Sequence, residues 1–326
     1  MACRFPLLAV RAVGSDQRPS VVSRSKYRNG KKPLSKGFEY VELCCGQCRS
    51  CRLEKSRVWG FRIEHEAAYI EEEYGLHSTF ITLTYSEKDL PYGGTLVPYH
   101  LEKFFKRFRS RIAPRKIRYY AAGEYGSKCP QHEINDCPVC GPVQRPHYHA
   151  IILGFDFPDR EYVGDRDGNP VYFSEFLESL WPYGFHEIGS ASFESACYTA
   201  RYIMKKVNGK GAQEHYTRYD PWTNTWFEVI PEFARMSTKP GIGRDWFEKY
   251  KDGIYPSDEC AVLSRGMTCM PPAYYDRIFG EGDPIGMEMI KAKRREKAEE
   301  AKEKGPSGES KAKVEDARLR MLARKL

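Results

Sequence analysis

Two histidines one residue apart, His147 and His149, stand directly ahead of the apolar run Ala150-Ile151-Ile152-Leu153 in the segment RPHYHAIILG. The run reads as a buried strand. Residues i and i+2 of a strand point to the same face, so the two imidazoles project together from Cα atoms roughly 7 Å apart. That suits two ligands converging on one divalent metal; two unrelated histidines at a strand edge is the competing reading. A carboxylate is also within reach. The preceding predicted strand ends near Glu124, and consecutive strands by default pair antiparallel, which sets Glu124 beside both histidines. Two imidazoles and one carboxylate leave positions open on Mg²⁺ or Mn²⁺, as a catalytic metal requires. The bland alternative for Glu124 is a surface carboxylate at a strand end.

A second constellation lies in SFESACYTARYIMKKVNG, residues 192–209. Phe193, Ala196, Ala200, Ile203 and Val207 fall on one helical stripe, the natural core face. Tyr198, Tyr202 and Lys205 fall on another, nearly opposite at about 100° per residue. This predicts two phenols and an ammonium on the face turned away from the core. Apolar packing of both faces is the alternative, but packing alone does not require two hydroxyls and a cation in one line. A phenol titrates near pH 10 and becomes a competent nucleophile only where a cation or metal offsets the cost of its anion. A metal polarising a phosphate, with Lys205 beside the phenol, meets that need. Two phenols one turn apart, roughly 5–6 Å at Cβ, are spaced to act in succession.

The elements that must hold these groups follow from the apolar pattern. Helices are expected over residues 52–73, 99–112, 171–180 and 192–209, and strands over 80–85, 117–122, 147–153 and 185–188. In the first helix Leu53, Ile63, Ala67 and Ile70 form a stripe, with Gly60 as a weak point. Thr82 and Thr84 share one face of the first strand. The order β-α-β-β-α-β-α gives an α+β domain, a mixed and mainly antiparallel sheet with helices on one side. Residues 1–43 look basic and loosely ordered. The main domain runs over 44–255, a loop-rich aromatic extension over 256–286, and a charged, helical tail over 287–326.

The chain has 326 residues and a net charge of +8, a mild tilt towards a polyanionic partner. No apolar run is long enough to span a membrane, and the start MACRFPLLAV is too short and too soon charged for a secretory signal. Basic and aromatic residues interleave in YRNGKK, FFKRFRSR and RKIRYY, where cations can meet phosphates and rings can stack on unpaired bases. Lys106, Arg107 and Arg118, with Arg201 and Lys206 near the tyrosines, are the candidate DNA contacts; core packing or plain solvation is the alternative for each.

Eleven cysteines in a chain with no secretory signal suggest metal before disulfides. The long loop over residues 125–144 carries Cys129, His132, Cys137 and Cys140, a set that a structural Zn²⁺ would hold, against a floppy loop with incidental cysteines. A second cluster, Cys45, Cys48 and Cys51 in CCGQCRSC, reads C-x2-C-x2-C. It lacks a local fourth ligand, so metal there needs a distant residue; a lead-in to a basic helix is the other reading.

Taken in order, these segments resemble a known family. RPHYHAII looks like the histidine–hydrophobic–histidine motif of HUH endonucleases, FITLTY their first motif, GEYG the segment bringing the carboxylate ligand, and YTARYIMKK their paired-tyrosine motif. A narrower resemblance is to replication initiators of gokushovirus-type microviruses, small single-stranded DNA phages. It is carried by CGQCRSCRLEKSRVWGFRIEHEA, LWPYGFHEIG, FESACYTARYIMKK, MSTKPGIGRDWFEKY and PPAYYDRIF, and covers residues 44–275. Any one motif is weak; the ordered set is specific. The 125–144 loop is longer than that family leads one to expect.

The resemblance implies an HUH fold, a central mainly antiparallel sheet flanked by helices. It implies a metal-dependent nick of single-stranded DNA at the replication origin: a tyrosine attacks a phosphodiester, stays on the 5′ phosphate, and frees a 3′ hydroxyl that primes a host polymerase. Carried over by position, Tyr198 and Tyr202 are nucleophiles, His147, His149 and Glu124 are metal ligands, and Lys205 stabilises the phenolate or the scissile phosphate. A host helicase is an expected partner and the bacterial cytoplasm the expected location. Two alternatives stay open: an HUH relaxase or transposase of a mobile element, and a non-enzymatic, zinc-stabilised nucleic-acid-binding regulator.

Overall fold

The structure is a computed structural model and describes residues 3, 5–13, 19–22, 34–126, 145–166, 168–202, 206–209, 211–220, 223–304, 313, 314 and 317. The chain divides into two compact units, residues 1–55 with 293–326, and residues 56–292. In the first, β1 (Leu7–Ala12) lies between β2 (Ser20–Val21) and β3 (Phe38–Leu43), all antiparallel. A loosely ordered stretch was the expectation there. These strands escape the pattern because almost none of their side chains is fully buried, so no clean apolar alternation marks them. Their pairing joins segments far apart in sequence, from Leu7↔Leu43 to Ala12↔Phe38, and Arg11 meets Glu39 across the ladder at 2.6 Å.

The chain continues through α1 (Arg49–Tyr74), β4 (Thr79–Tyr85), α2 (Pro98–Ile112), β5 (Arg118–Tyr125), β6 (Pro146–Leu153), β7 (Glu161–Arg166), β8 (Asn169–Phe173), α3 (Glu175–Leu180), β9 (Gly184–Ser190) and α4 (Phe193–Tyr202). Beyond these come α5 (Ala212–Tyr216), the hairpin β10 (Thr217–Asp220) and β11 (Thr225–Glu228), β12 (Phe233–Met236), α6 (Arg244–Ile254), β13 (Cys260–Val262), β14 (Met267–Cys269), α7 (Ala273–Gly282) and the charged α8 (Pro284–Lys304). The main sheet has seven strands in the order β12-β5-β6-β4-β9-β8-β7, every neighbouring pair antiparallel. The fold is α+β with a central antiparallel sheet flanked by helices, as expected for an HUH-like protein. No helix among the described residues is long and apolar enough to cross a membrane.

Helices cover both faces of this sheet, not one. On one face Ile81, Leu83, Tyr148, Ala150 and Ile152 pack with Leu101, Phe104 and Phe108 of α2 and with Leu177 and Leu180 of α3. On the other, Tyr120, Ile151 and Leu153 pack with Ile63 and Ile70 of α1 and with Ala196 and Ala200 of α4. The run Ala150-Ile151-Ile152-Leu153 is buried residue by residue, and a strand apolar on both faces needs cover on both. A second difference concerns residues 171–173, expected to start a helix. Val171, Tyr172 and Phe173 are β-branched or aromatic and belong to β8. The helix starts only after Ser174, whose side chain caps it by accepting from the Leu177 amide at 3.0 Å.

Two features fix α1 against its neighbours. At Gly60 a Cβ would fall 2.4 Å from Cys197 Sγ and 3.0 Å from the Phe193 ring. The glycine read as a weak point is where α1 and α4 approach most closely, and Ser56 Oγ donates to the Cys197 carbonyl nearby at 2.6 Å. Farther along, His65 is fully buried. Its ring stacks on Trp246 at 3.6 Å, its Nε2–H donates to the Ala261 carbonyl at 2.8 Å, and the Tyr275 hydroxyl donates to its Nδ1 at 2.9 Å. Burial lowers the pKa of His65 from 6.5 to about 4. The folded state therefore favours the neutral ring, and the unfolded state takes up the proton first as pH falls. This contribution is fully present above pH 6.5 and is lost on acidification towards pH 4, by about 3 kcal/mol at most. Urea unfolding at pH 7 and pH 4.5 checks it: wild-type stability is expected to fall more steeply than that of His65→Gln, and equal falls would refute it.

Candidate metal centre and nucleophile helix

The register of three adjacent strands builds the centre. Glu124 pairs directly with His147, and Ala122 with His149, across β5 and β6. Thr82 pairs with His149 across β4 and β6. With alternate residues on one face, Glu124, His147, His149 and Thr82 all lie on the side covered by α1 and α4. Glu124 Oε1 is 2.7 Å from His147 Nε2 and 3.2 Å from His149 Nε2. One ligand atom from each of the three lies within 4.8 Å of the other two.

The outer nitrogens are held as well. His147 Nδ1–H donates to the Arg145 carbonyl at 3.1 Å, which leaves Nε2 as the lone-pair nitrogen turned to the carboxylate. A lone pair and a carboxylate oxygen at 2.7 Å call for a cation between them, so the donor set fits a divalent metal. His149 Nδ1 is 3.0 Å from Thr82 Oγ1, and its ring lies nearly parallel to Phe80 at 5.6 Å. Thr82 and Phe80 thus orient His149. The shared face of Thr82 and Thr84 was visible in the sequence, but nothing there tied it to the histidine. Side-chain exposure rises from 2% for Glu124 and 5% for His149 to 19% for His147, so the centre opens on its His147 side.

Tyr198 of α4 does not point away from the sheet. Its ring stands edge-on to His149 at 5.4 Å and to Phe80 at 6.4 Å. Ala196 and Ala200 take the deepest places beneath the helix, and these small residues let it approach closely enough for Tyr198 to reach the imidazole. Tyr202 ends the helix, and Lys205 lies outside the described residues. Arg201, one turn from Tyr198, has a buried Nε with no hydrogen-bond partner among the described residues. Burial lowers its pKa, while the Cys197 thiol and the Tyr198 phenol act the other way.

The other predicted DNA contacts fall in varied places. Lys106 is exposed and Lys206 half-buried. Arg107 donates to the Leu180 carbonyl at 3.0 and 2.7 Å, fastening α2 to α3. Arg118 pairs with buried Glu66 at 2.6 Å and donates to the Pro240 carbonyl at 2.7 Å. Cys129, His132, Cys137 and Cys140 lie outside the described residues. Cys45, Cys48 and Cys51 come together, with Cys3 beside them.

Comparison with known proteins adds an independent line. A family model described as a replication-associated protein of the ORF2 type matches residues 78–207, the span from β4 to just past α4. The chain is 30% identical to the "Replication-associated protein ORF2" of Spiroplasma virus 4 over 310 residues, covering 90% of this chain and 86% of that one. It is 30% identical to the "Replication-associated protein VP4" of Bdellovibrio phage phiMH2K over 262 residues, covering 78% and 72%. To the "Replication-associated protein ORF4" of Chlamydia phage 1 it is 28% identical over 173 residues, covering 50% and 38%. No solved structure matches the chain.

Proposed function

Because this chain belongs to the microvirus-type replication-associated proteins, we propose that it starts phage rolling-circle replication by nicking single-stranded DNA at the origin. Its role in phage replication, on DNA, follows from its relatives' names; the chemistry is the further step. The observation that carries it is the convergence of Glu124, His147 and His149 on one point, with the Tyr198 ring against His149 at 5.4 Å.

In this reading Glu124, His147 and His149 hold Mg²⁺ or Mn²⁺, which when bound supplies charge neutralisation at the scissile phosphate. A tyrosine of α4, Tyr198 or Tyr202, attacks the phosphorus through its phenolic oxygen. A new P–O bond forms to the tyrosine and the bond from phosphorus to the 3′ oxygen breaks. The 3′ oxygen leaves and is protonated to the free hydroxyl that a host polymerase extends, while the 5′ end stays on the protein as a phosphotyrosine. Arg201 and Lys205 offset negative charge at the phenolate and phosphate. The second tyrosine repeats the reaction after one round, which resolves and closes the circle. A host helicase would open the duplex ahead of it inside the infected cell. The full-length phage relatives favour this over a relaxase or transposase.

The test incubates the protein with circular single-stranded DNA bearing the phage origin, with Mn²⁺ or Mg²⁺ or with a chelator. A protein–DNA adduct that survives denaturant is expected only with metal. A folded protein that binds the DNA yet forms no adduct would leave the non-enzymatic regulator as the better reading.

A further inference from the structure

We infer that Cys3, Cys45, Cys48 and Cys51 form a tetrathiolate zinc site that staples the N-terminal segment to the start of α1. The four sulfurs all lie within 4.8 Å of one another, and Cys3 Sγ is 3.8 Å from Cys48 Sγ. A tetrahedral ion with Zn–S near 2.3 Å sets its sulfurs about 3.8 Å apart. The backbone around them fits the same purpose. Gly46 takes a left-handed conformation with φ +70°, which turns the chain between Cys45 and Cys48. That turn points the amides of Gln47 and Cys48 at Cys45 Sγ, at 3.4 and 3.2 Å. The amide of Cys45 donates to Cys3 Sγ at 3.2 Å. Amide donors aimed at sulfur compensate the negative charge of thiolates.

Other uses of four cysteines fit less well. All four are free thiols, and 3.8 Å is far beyond the roughly 2.05 Å of a disulfide. A convergent set of four serves one ion, whereas two disulfides need two separate pairs. An iron–sulfur cluster spreads its thiolates over several irons, and these sulfurs converge on a single point. Zinc is the common ion for tetrahedral four-sulfur coordination. The selection is specific within the motif, because Cys44 is exposed and outside the group. The fourth ligand escapes a reading of the local motif because it lies 42 positions before Cys45.

The placement gives the ion a structural task. Cys3 precedes β1, Cys45 and Cys48 lie between β3 and α1, and Cys51 is in the first turn of α1. One ion therefore closes the β2-β1-β3 sheet onto the helix that follows it. This site lies in the first compact unit and outside the family-matched span, so it stands apart from the nicking centre.

The test uses the unaltered full-length chain, without DNA. Zinc-loaded protein is treated with iodoacetamide, with and without prior chelation, and each cysteine is read by peptide mass spectrometry. Cys3, Cys45, Cys48 and Cys51 are expected to gain reactivity together on chelation, by about tenfold or more, while Cys44 reacts equally in both. Protection by burial alone would not respond to the chelator. Equal labelling of Cys3 before and after chelation overturns the proposal. A second measurement uses Co²⁺ in a background with Cys129, Cys137 and Cys140 replaced by Ser. Cys3→Ser should there weaken the thiolate charge-transfer band by about a quarter, one thiolate in four. An unchanged band overturns Cys3 as a ligand. If Cys3→Ser does not fold, the labelling pattern of the unaltered chain decides.

Discussion

Replacing Tyr198 by Phe is expected to lower formation of the denaturant-resistant DNA adduct on the order of 10³-fold or more, as removal of an attacking nucleophile does. The change deletes one oxygen and keeps the ring. The edge-on contacts to His149 and Phe80 are made by the ring face and edge, so the fold and the metal ligands are left in place. The double variant Tyr198→Phe/Tyr202→Phe should form no adduct, while its binding of origin DNA stays within a few-fold of wild type by gel shift. If peptide mapping finds DNA still attached in the double variant, the covalent link belongs to another residue and the proposed chemistry fails. Wild-type nicking by Tyr198→Phe alone would assign the first attack to Tyr202.

Glu124→Gln should have an effect of comparable size through the metal. The side chain keeps its shape but loses the charge that draws a cation between two imidazole nitrogens at 2.7 and 3.2 Å. Several kcal/mol of charge stabilisation at the phosphate go with the ion, so nicking at low Mn²⁺ should fall on the order of 10²–10³-fold. Raising Mn²⁺ should restore part of it, because the two histidines remain. His149→Ala on top of Glu124→Gln should cost much less than the product of the single losses, since both residues serve one ion. A Mn²⁺ titration of nicking rate reads all three. Wild-type metal dependence in Glu124→Gln would remove this carboxylate from the centre.

How much of this was legible beforehand depended on the range of the interaction. His147 and His149 share a face because of strand parity, a strictly local rule, and their face is the one the register gives. Glu124 was reached by one further assumption, that consecutive strands pair antiparallel, and its direct pairing with His147 follows that rule. Tyr198 was legible as a residue but not in its direction. Helical periodicity gives angles around an axis, and it cannot tell that Ala196 and Ala200 let α4 sink close enough for Tyr198 to meet the sheet. The helices on both faces were hinted at by the unbroken apolar run of β6, since a strand with one wet face alternates. The pairing of β1 with β3, and the approach of Cys3 to Cys45, join residues too distant for any periodic signal. The close contact at Gly60 likewise depends on which helix crosses there.

The position of the ligand-bearing strands within the sheet has a consequence for the empty and loaded protein alike. β4, β5 and β6 each have a hydrogen-bonded neighbour on both sides, so their amides should be among the slowest to exchange with deuterium. Local opening is reserved for outlying parts such as the β7–β8 hairpin at the far edge. The coordinating frame therefore persists through ion departure and return, and reloading needs diffusion and not refolding.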